Sequence, residues 1–311
     1  MSPEHHIPDH PRGLALVLGG GGAAGNAWLI GVVAGLAQAG VDLPGGADLL
    51  VGTSAGATAA AMIGSGVPIG DLYRSTQTAP PGSSRPAGGR PAPRPAALPM
   101  EAVFDRLRAV GAAASSVEEL QRGMGAFALE SDPLLGSSEP WRAVAASRLP
   151  STDWPATPTM ITTIDARTGE LTVFDQTSGV ELADAVAAST CLPGLLPTQR
   201  VGDGNYIDGG VRSSENADLA AGYATVVVLA PLHGRSRHIP GQFEGIRRFP
   251  GHDLAGEVAM LRSGGSRVEA LWPDDASQTA MGANVADPSN RTASARAGFE
   301  QGQRAAQRLW R

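Results

Sequence analysis

The sequence predicts an α/β fold, a mostly parallel sheet with helices on both faces, and three observations carry that prediction. Short unbroken apolar runs recur: LALVL after Gly13, ADLLV at 47–51 and TVVVLAP at 225–231. Runs of this kind mark strands covered on both faces. The first two pass through glycine-bearing turns, GGGGAAG and GTSAG, into helical patterns. Strand and helix signals then alternate along the chain, the order of βα units.

Each element follows from its residues. Positions 1–12 are polar, with His5, His6 and His10 among three prolines, and read as a flexible tail of solvated histidines; one domain then runs from 13 to 311. After LALVL and its glycines, AAGNAWLIGVVAGLAQAG is a helix with apolar Trp28, Leu29, Val32, Val33 and Leu36, stopped by Gly40. After GTSAG, ATAAAMIGSG is a helix of small residues that can pack close to a sheet. Residues 79–99, rich in Pro, Gly, Ser, Ala and Arg, read as a connector. Residues 100–149 carry helical periodicity (Met100, Val103, Phe104, Leu107, Val110) and read as a helical insertion or lid, its apolar face by default in the core. TMITTIDA (from 159 on) and ELTVFDQ, joined by RTG, predict a hairpin. A helix in DAVAASTCLPGLLP is expected to end at Pro193 and Pro197, and a last Ala- and Arg-rich helix is expected from about Asp287 to Trp310.

Composition removes several chemistries. The chain has 311 residues, 42% hydrophobic and 17% charged, so it can bury a full core. Its 41 glycines imply many tight turns or close approaches. A formal charge of −6 leaves no footprint for nucleic acid. There is no lysine, which excludes Schiff-base catalysis and an ordinary NTPase phosphate loop. Cys191 is the sole cysteine, so neither an internal disulfide nor a cysteine zinc cluster can form. It reads as a small core residue. The N-terminus lacks the features of a signal peptide, and no apolar run reaches about twenty residues. A cytoplasmic location is expected, with any lipid contact peripheral. Oligomeric state is left open.

Three motifs carry chemistry. Gly20, Gly22 and Gly25 satisfy G-x-G-x-x-G between strand and helix. Backbone N–H groups in such a turn converge on an anion, either a pyrophosphate or the oxyanion of an acyl intermediate. The ribose-binding acid of the first case is poorly served by Asp42 and Asp48, which flank the start of the second strand. Next, Gly52-Thr53-Ser54-Ala55-Gly56 is G-x-S-x-G at a strand-to-helix turn. It is either a nucleophile elbow, with Gly52 and Gly56 removing clashes, or a plain turn with Ser54 as helix cap. Finally, Asp208 precedes Gly209 and Gly210 at a strand end. It is either the base for Ser54 or an Asp-Gly turn.

Taken together, LVLGGGGAAG, VGTSAG and YIDGGVRSSENADLA resemble the patatin-like phospholipase family, over nearly the whole chain from Gly13. The resemblance implies a three-layer α/β/α sandwich and a Ser–Asp dyad without histidine. Ser54 would be nucleophile, Asp208 base, and Gly20, Gly21 and Gly22 the oxyanion donors. It implies a lipid or other acyl ester as substrate and no cofactor or metal. One departure is Ala24, where the family often has Arg or Lys. The competing readings are a Ser-His-Asp esterase using His233, His238 or His252, a nucleotide-binding oxidoreductase, and a non-catalytic lipid-binding module.

Overall fold

The computed structural model describes residues 12–78, 99–234 and 249–309. The expected tail, most of the Pro-rich connector and His238 lie outside the described residues. Strand β1 (Arg12–Leu18) leads into helix α1 (Gly22–Gln38). A short α2 (Leu43–Gly46), strand β2 (Ala47–Thr53), α3 (Ala55–Ile63) and α4 (Ile69–Thr76) follow. Three helices fill the region read as an insertion: α5 (Met100–Ala113), α6 (Val117–Leu135) and α7 (Glu139–Ser147). Then come β3 (Thr159–Asp165), β4 (Leu171–Phe174), α8 (Leu182–Ser189), β5 (Gln199–Val201) and β6 (Gly204–Asp208). The chain closes with β7 (Tyr223–Leu229), α9 (Leu254–Ser263), β8 (Arg267–Leu271), α10 (Asp275–Met281) and α11 (Arg291–Leu309).

The strands form one sheet in the order β5-β6-β3-β2-β1-β7-β8, with β4 also on β3. In that order the pairings from β3 to β8 are parallel, whereas β4 and β6 pair antiparallel with β3, and β5 pairs antiparallel with β6. The sheet is therefore mostly parallel, as expected, with an antiparallel end. The apolar runs split by alternation. Leu16 and Leu18 pack with α1, α3 and α11 on one face, while Ala15 and Val17 pack with α9 on the other. Helices cover both faces, which makes the three layers.

α1 is buried on all sides from Ala24 to Leu36, so it carries no polar stripe. Its Gly31 and Gly35 face the backbone of Ala295 and Phe299 of α11, and Gly298 and Gly302 of α11 face that of Trp28 and Val32 in return. A Cβ on Gly35 would lie 2.0 Å from the Phe299 carbonyl oxygen, and one on Gly302 2.3 Å from that of Val32. Backbones this close exclude any side chain. The buried Trp28 indole donates to Gln301 Oε1 across the same interface (3.0 Å). The helix read as ending at the prolines stops at Ser189 instead, where the chain turns to reach the base of the site. On α5, Val103, Phe104 and Leu107 are buried with Leu120, Met124 and Phe127 of α6, over Ile164 and Ile207 of the sheet. Met100 departs from that face and is 60% exposed. Among the described residues no helix is long and apolar enough to cross a membrane.

Candidate active site

Register brings the motif residues to one end of the sheet. Thr53, the last residue of β2, pairs with Thr162 of β3. The next residue of β3, Thr163, pairs with Asp208 at the end of β6. Ser54 and Asp208 therefore flank the same strand, two strand spacings or about 10 Å apart in backbone. Both line one cavity of about 100 Å³.

Ser54 joins β2 to α3 with φ 56° and ψ −118°, a conformation that residues with side chains rarely adopt. Its hydroxyl makes no capping bond to the helix, so the plain helix-cap reading does not describe this turn. Its N–H donates instead to Ser189 Oγ (2.8 Å), from the end of α8. The turn is possible because Gly52 and Gly56 lack side chains. A Cβ on Gly56 would lie 1.8 Å from the Leu18 carbonyl oxygen, and one on Gly52 2.6 Å from Ala57 Cα. The positive end of α3 lies at this point.

The glycine loop lies beside the elbow, where a Cβ on Gly20 would be 3.4 Å from Ser54 Cβ. Gly22 has φ +60°, and a Cβ there would meet the Val285 carbonyl oxygen at 2.6 Å. Gly25 lets α1 approach Pro231. The expectation that all three loop glycines are donors needs correction. The Gly20 N–H already donates to the Ser214 carbonyl (2.8 Å), so Gly20 supplies close approach and not a donor. Those of Gly21 and Gly22 have no acceptor among the described residues and line the cavity.

Asp208 is 2% exposed. Its N–H donates to the Cys191 carbonyl (3.0 Å), and its Oδ1 accepts from the Gly210 N–H (2.7 Å). Gly209 is required because a Cβ there would lie 2.4 Å from Thr162 Oγ1. The rest of the cavity is apolar, with Leu107, Leu120, Met124, Leu192, Val211 and Leu232 in its wall. Asp208 is the one charged residue among the described residues of that wall. Ala24 is buried, and its N–H donates to the Val285 carbonyl (2.9 Å); among the described residues of the cavity wall no Arg stands in for the basic residue missing from the loop.

The remaining sequence candidates lie elsewhere. His233 and His252 line a neighbouring polar cavity with Glu215 and Asp253, not the one that holds Ser54. His233 sits edge-on to Trp272 (5.0 Å), and burial pulls its pKa below the ordinary value, partly opposed by Asp253. Cys191 is fully buried; burial, and then the nearby Asp208 carboxylate, push its thiol up, so it stays protonated and unreactive. Asp48 accepts the Leu14 N–H (2.9 Å) and Asp42 that of Gly45 (3.1 Å), so both acids serve the backbone around the start of β2. Among the described residues no group of His, Cys, Asp and Glu could hold a metal ion.

Sequence reasoning quoted the segment after the DGG motif as part of the resemblance but assigned its residues no role. Residues 212–218 run under the site: the Ser214 carbonyl fixes Gly20, and the Arg212 guanidinium is paired with Asp218. Glu257 of α9 holds this segment by accepting the Ala217 N–H (2.8 Å). Glu257 is 1% exposed; burial raises its carboxyl to about 8, opposed by hydrogen bonds from Ser213 and Ala217 and reinforced by Asp218 and Glu215. The sign follows. Below about pH 4.5 the group is protonated both folded and unfolded. Between there and about 8 only the unfolded chain releases the proton, so stability is lost as pH rises. Glu257→Gln is therefore expected to raise the melting temperature more at pH 8 than at pH 5. Melts of both proteins at the two pH values check this; an equal shift at both would contradict it.

Among solved structures the chain is similar to VipD from Legionella pneumophila, with 14% identity over 96% of this chain and 67% of that one and a TM-score of 0.43. It is also similar to the type III effector protein ExoU, with 18% identity, 96% and 54% coverage and a TM-score of 0.35. No curated protein matches it. The family model for patatin-like phospholipases matches residues 16–221, a span that takes in the glycine loop, the elbow and Asp208. The chain belongs to the patatin-like phospholipase family, whose members are lipid acyl hydrolases.

Proposed function

We propose that this chain hydrolyses the carboxylic esters of lipids through a Ser54–Asp208 dyad. One observation carries the reading. A serine held in a strained turn shares an apolar cavity with a buried carboxylate and two backbone N–H groups without acceptors among the described residues. Asp208 takes the Ser54 proton as Oγ bonds to the ester carbonyl carbon. The carbonyl electron pair moves onto oxygen, which the Gly21 and Gly22 N–H groups stabilise. Such donors each contribute about 3–4 kcal/mol. The tetrahedral adduct then collapses, the C–O bond to the alcohol breaks, and Asp208 returns the proton to the leaving oxygen. Water attacks the acyl-enzyme with Asp208 again as base, releasing the fatty acid and restoring Ser54. No step calls on a cofactor.

The wall formed by Leu107, Leu120 and Met124 suits an acyl chain. The helices that supply it, α5 and α6, thus both pack on the core and shape the substrate site. A series of p-nitrophenyl esters from acetate to palmitate tests the reading. Turnover is expected, and Met124→Trp and Leu120→Trp should shift the preference toward shorter chains. No turnover of any ester would overturn the function. An unchanged profile in both variants would remove α6 from the acyl site.

A further inference from the structure

Among the described residues only two that are not glycine have positive φ: Ser54 and Asn216. Asn216 follows Asp208 by eight residues, is fully buried, and sits at φ 51° and ψ 42°. Asparagine tolerates this left-handed conformation better than most residues, yet it is kept only where the surroundings dictate it. Here the side chain does so. Its Nδ2 donates to the Ser213 carbonyl (2.8 Å) and to Thr53 Oγ1 (3.1 Å), with the Gly209 carbonyl at 3.3 Å. Its Oδ1 accepts from Arg212 Nη1 (2.8 Å), whose guanidinium is itself fixed on Asp218.

The partners matter for where they lie in the chain. Thr53 is the residue before Ser54, and Gly209 is the residue after Asp208. Between them Thr162 of β3 shares a hydrogen bond with Thr53 (Oγ1 to Oγ1, 2.8 Å). One amide therefore touches the hydroxyl of the residue before one candidate reacting group and the carbonyl of the residue after the other, two groups that arrive on different strands. We infer that Asn216 is a positioning residue that fixes the spacing of the elbow against the carboxylate. It touches neither reacting atom. This inference rests on the Ser54–Asp208 reading.

The backbone role and the amide role can be separated. Glycine and aspartate both accept the left-handed conformation, but neither carries the two N–H donors. If only the conformation matters, Asn216→Gly and Asn216→Asp keep wild-type kcat. If the amide sets the spacing, both lose kcat by about 100-fold, the penalty expected of a roughly 1 Å misplacement. KM for a short p-nitrophenyl ester should stay within about threefold, because the amide does not meet the acyl chain. Rates are taken per site titrated with a fluorophosphonate. Should these variants fail to fold, Thr53→Val removes the same bond from its other end, together with those of Thr53 Oγ1 to Thr162 and the Glu215 carbonyl, and should lower kcat at least about tenfold, while Thr53→Ser restores it. Wild-type kcat in both Asn216 variants, or in Thr53→Val, overturns the inference. Ser54→Ala run alongside separates the failures: if it stays active, the dyad reading itself falls.

Discussion

Ser54→Ala is expected to fold and to lose ester turnover by about 10⁴- to 10⁶-fold, the scale seen when an activated serine is removed. The strain at Ser54 adds a second readout. Alanine has the same trouble with φ 56° as serine, so the melting temperature should barely move. Glycine adopts that conformation freely, so Ser54→Gly should be as inactive as Ser54→Ala and about 1 kcal/mol more stable. A strained residue whose relief stabilises the fold while abolishing turnover is one kept for its chemistry. Turnover by Ser54→Ala within about tenfold of the parent would end the assignment.

Asp208→Asn should be nearly as damaging as loss of the serine. Asparagine matches the carboxylate in shape and can still accept the Gly210 N–H, but it cannot take a proton from Ser54. A loss of several orders of magnitude with normal circular dichroism is the expected outcome. His233→Gln and His252→Gln should each keep most of the activity, since both residues line the neighbouring cavity and not that of Ser54. In a Ser-His-Asp triad the imidazole takes the serine proton, and its removal costs about as much as removal of the serine. A near-complete loss in either histidine variant, with folding intact, would replace the dyad by a triad.

The parallel core of the fold was legible because β1, β2 and β7 are buried on both faces and so read as unbroken apolar runs. The elbow was legible because Gly52 and Gly56 are demanded by contacts no other residue allows. The antiparallel end was harder to read. β5 and β6 have three and five residues, too few to show a period. The glycine loop could be located but not apportioned among its donors: which N–H is spent depends on the Ser214 carbonyl, nearly two hundred positions away. Asn216 was invisible for a related reason. An asparagine in SSENADLA looks like any loop asparagine, and its role comes only from Thr53 and Gly209 meeting across the sheet. The acyl wall was half visible. The periodicity of α5 located Leu107 on an apolar face, whereas Leu120 and Met124 came forward only once α6 was seen against the sheet.

Labelling by a fluorophosphonate tests the central claim most directly, because it reacts only with a serine that a base and an oxyanion site have activated. The chain has no lysine and no arginine between Arg12 and Arg74, so cleavage before aspartate maps the adduct better than trypsin does. The fragment Asp48–Gly70 contains both Ser54 and Ser65. Fragmentation of that peptide is expected to put one phosphonyl group on Ser54, with labelling lost in Ser54→Ala and strongly slowed in Asp208→Asn. An adduct on any other residue, or an unlabelled protein that is folded, would contradict the account.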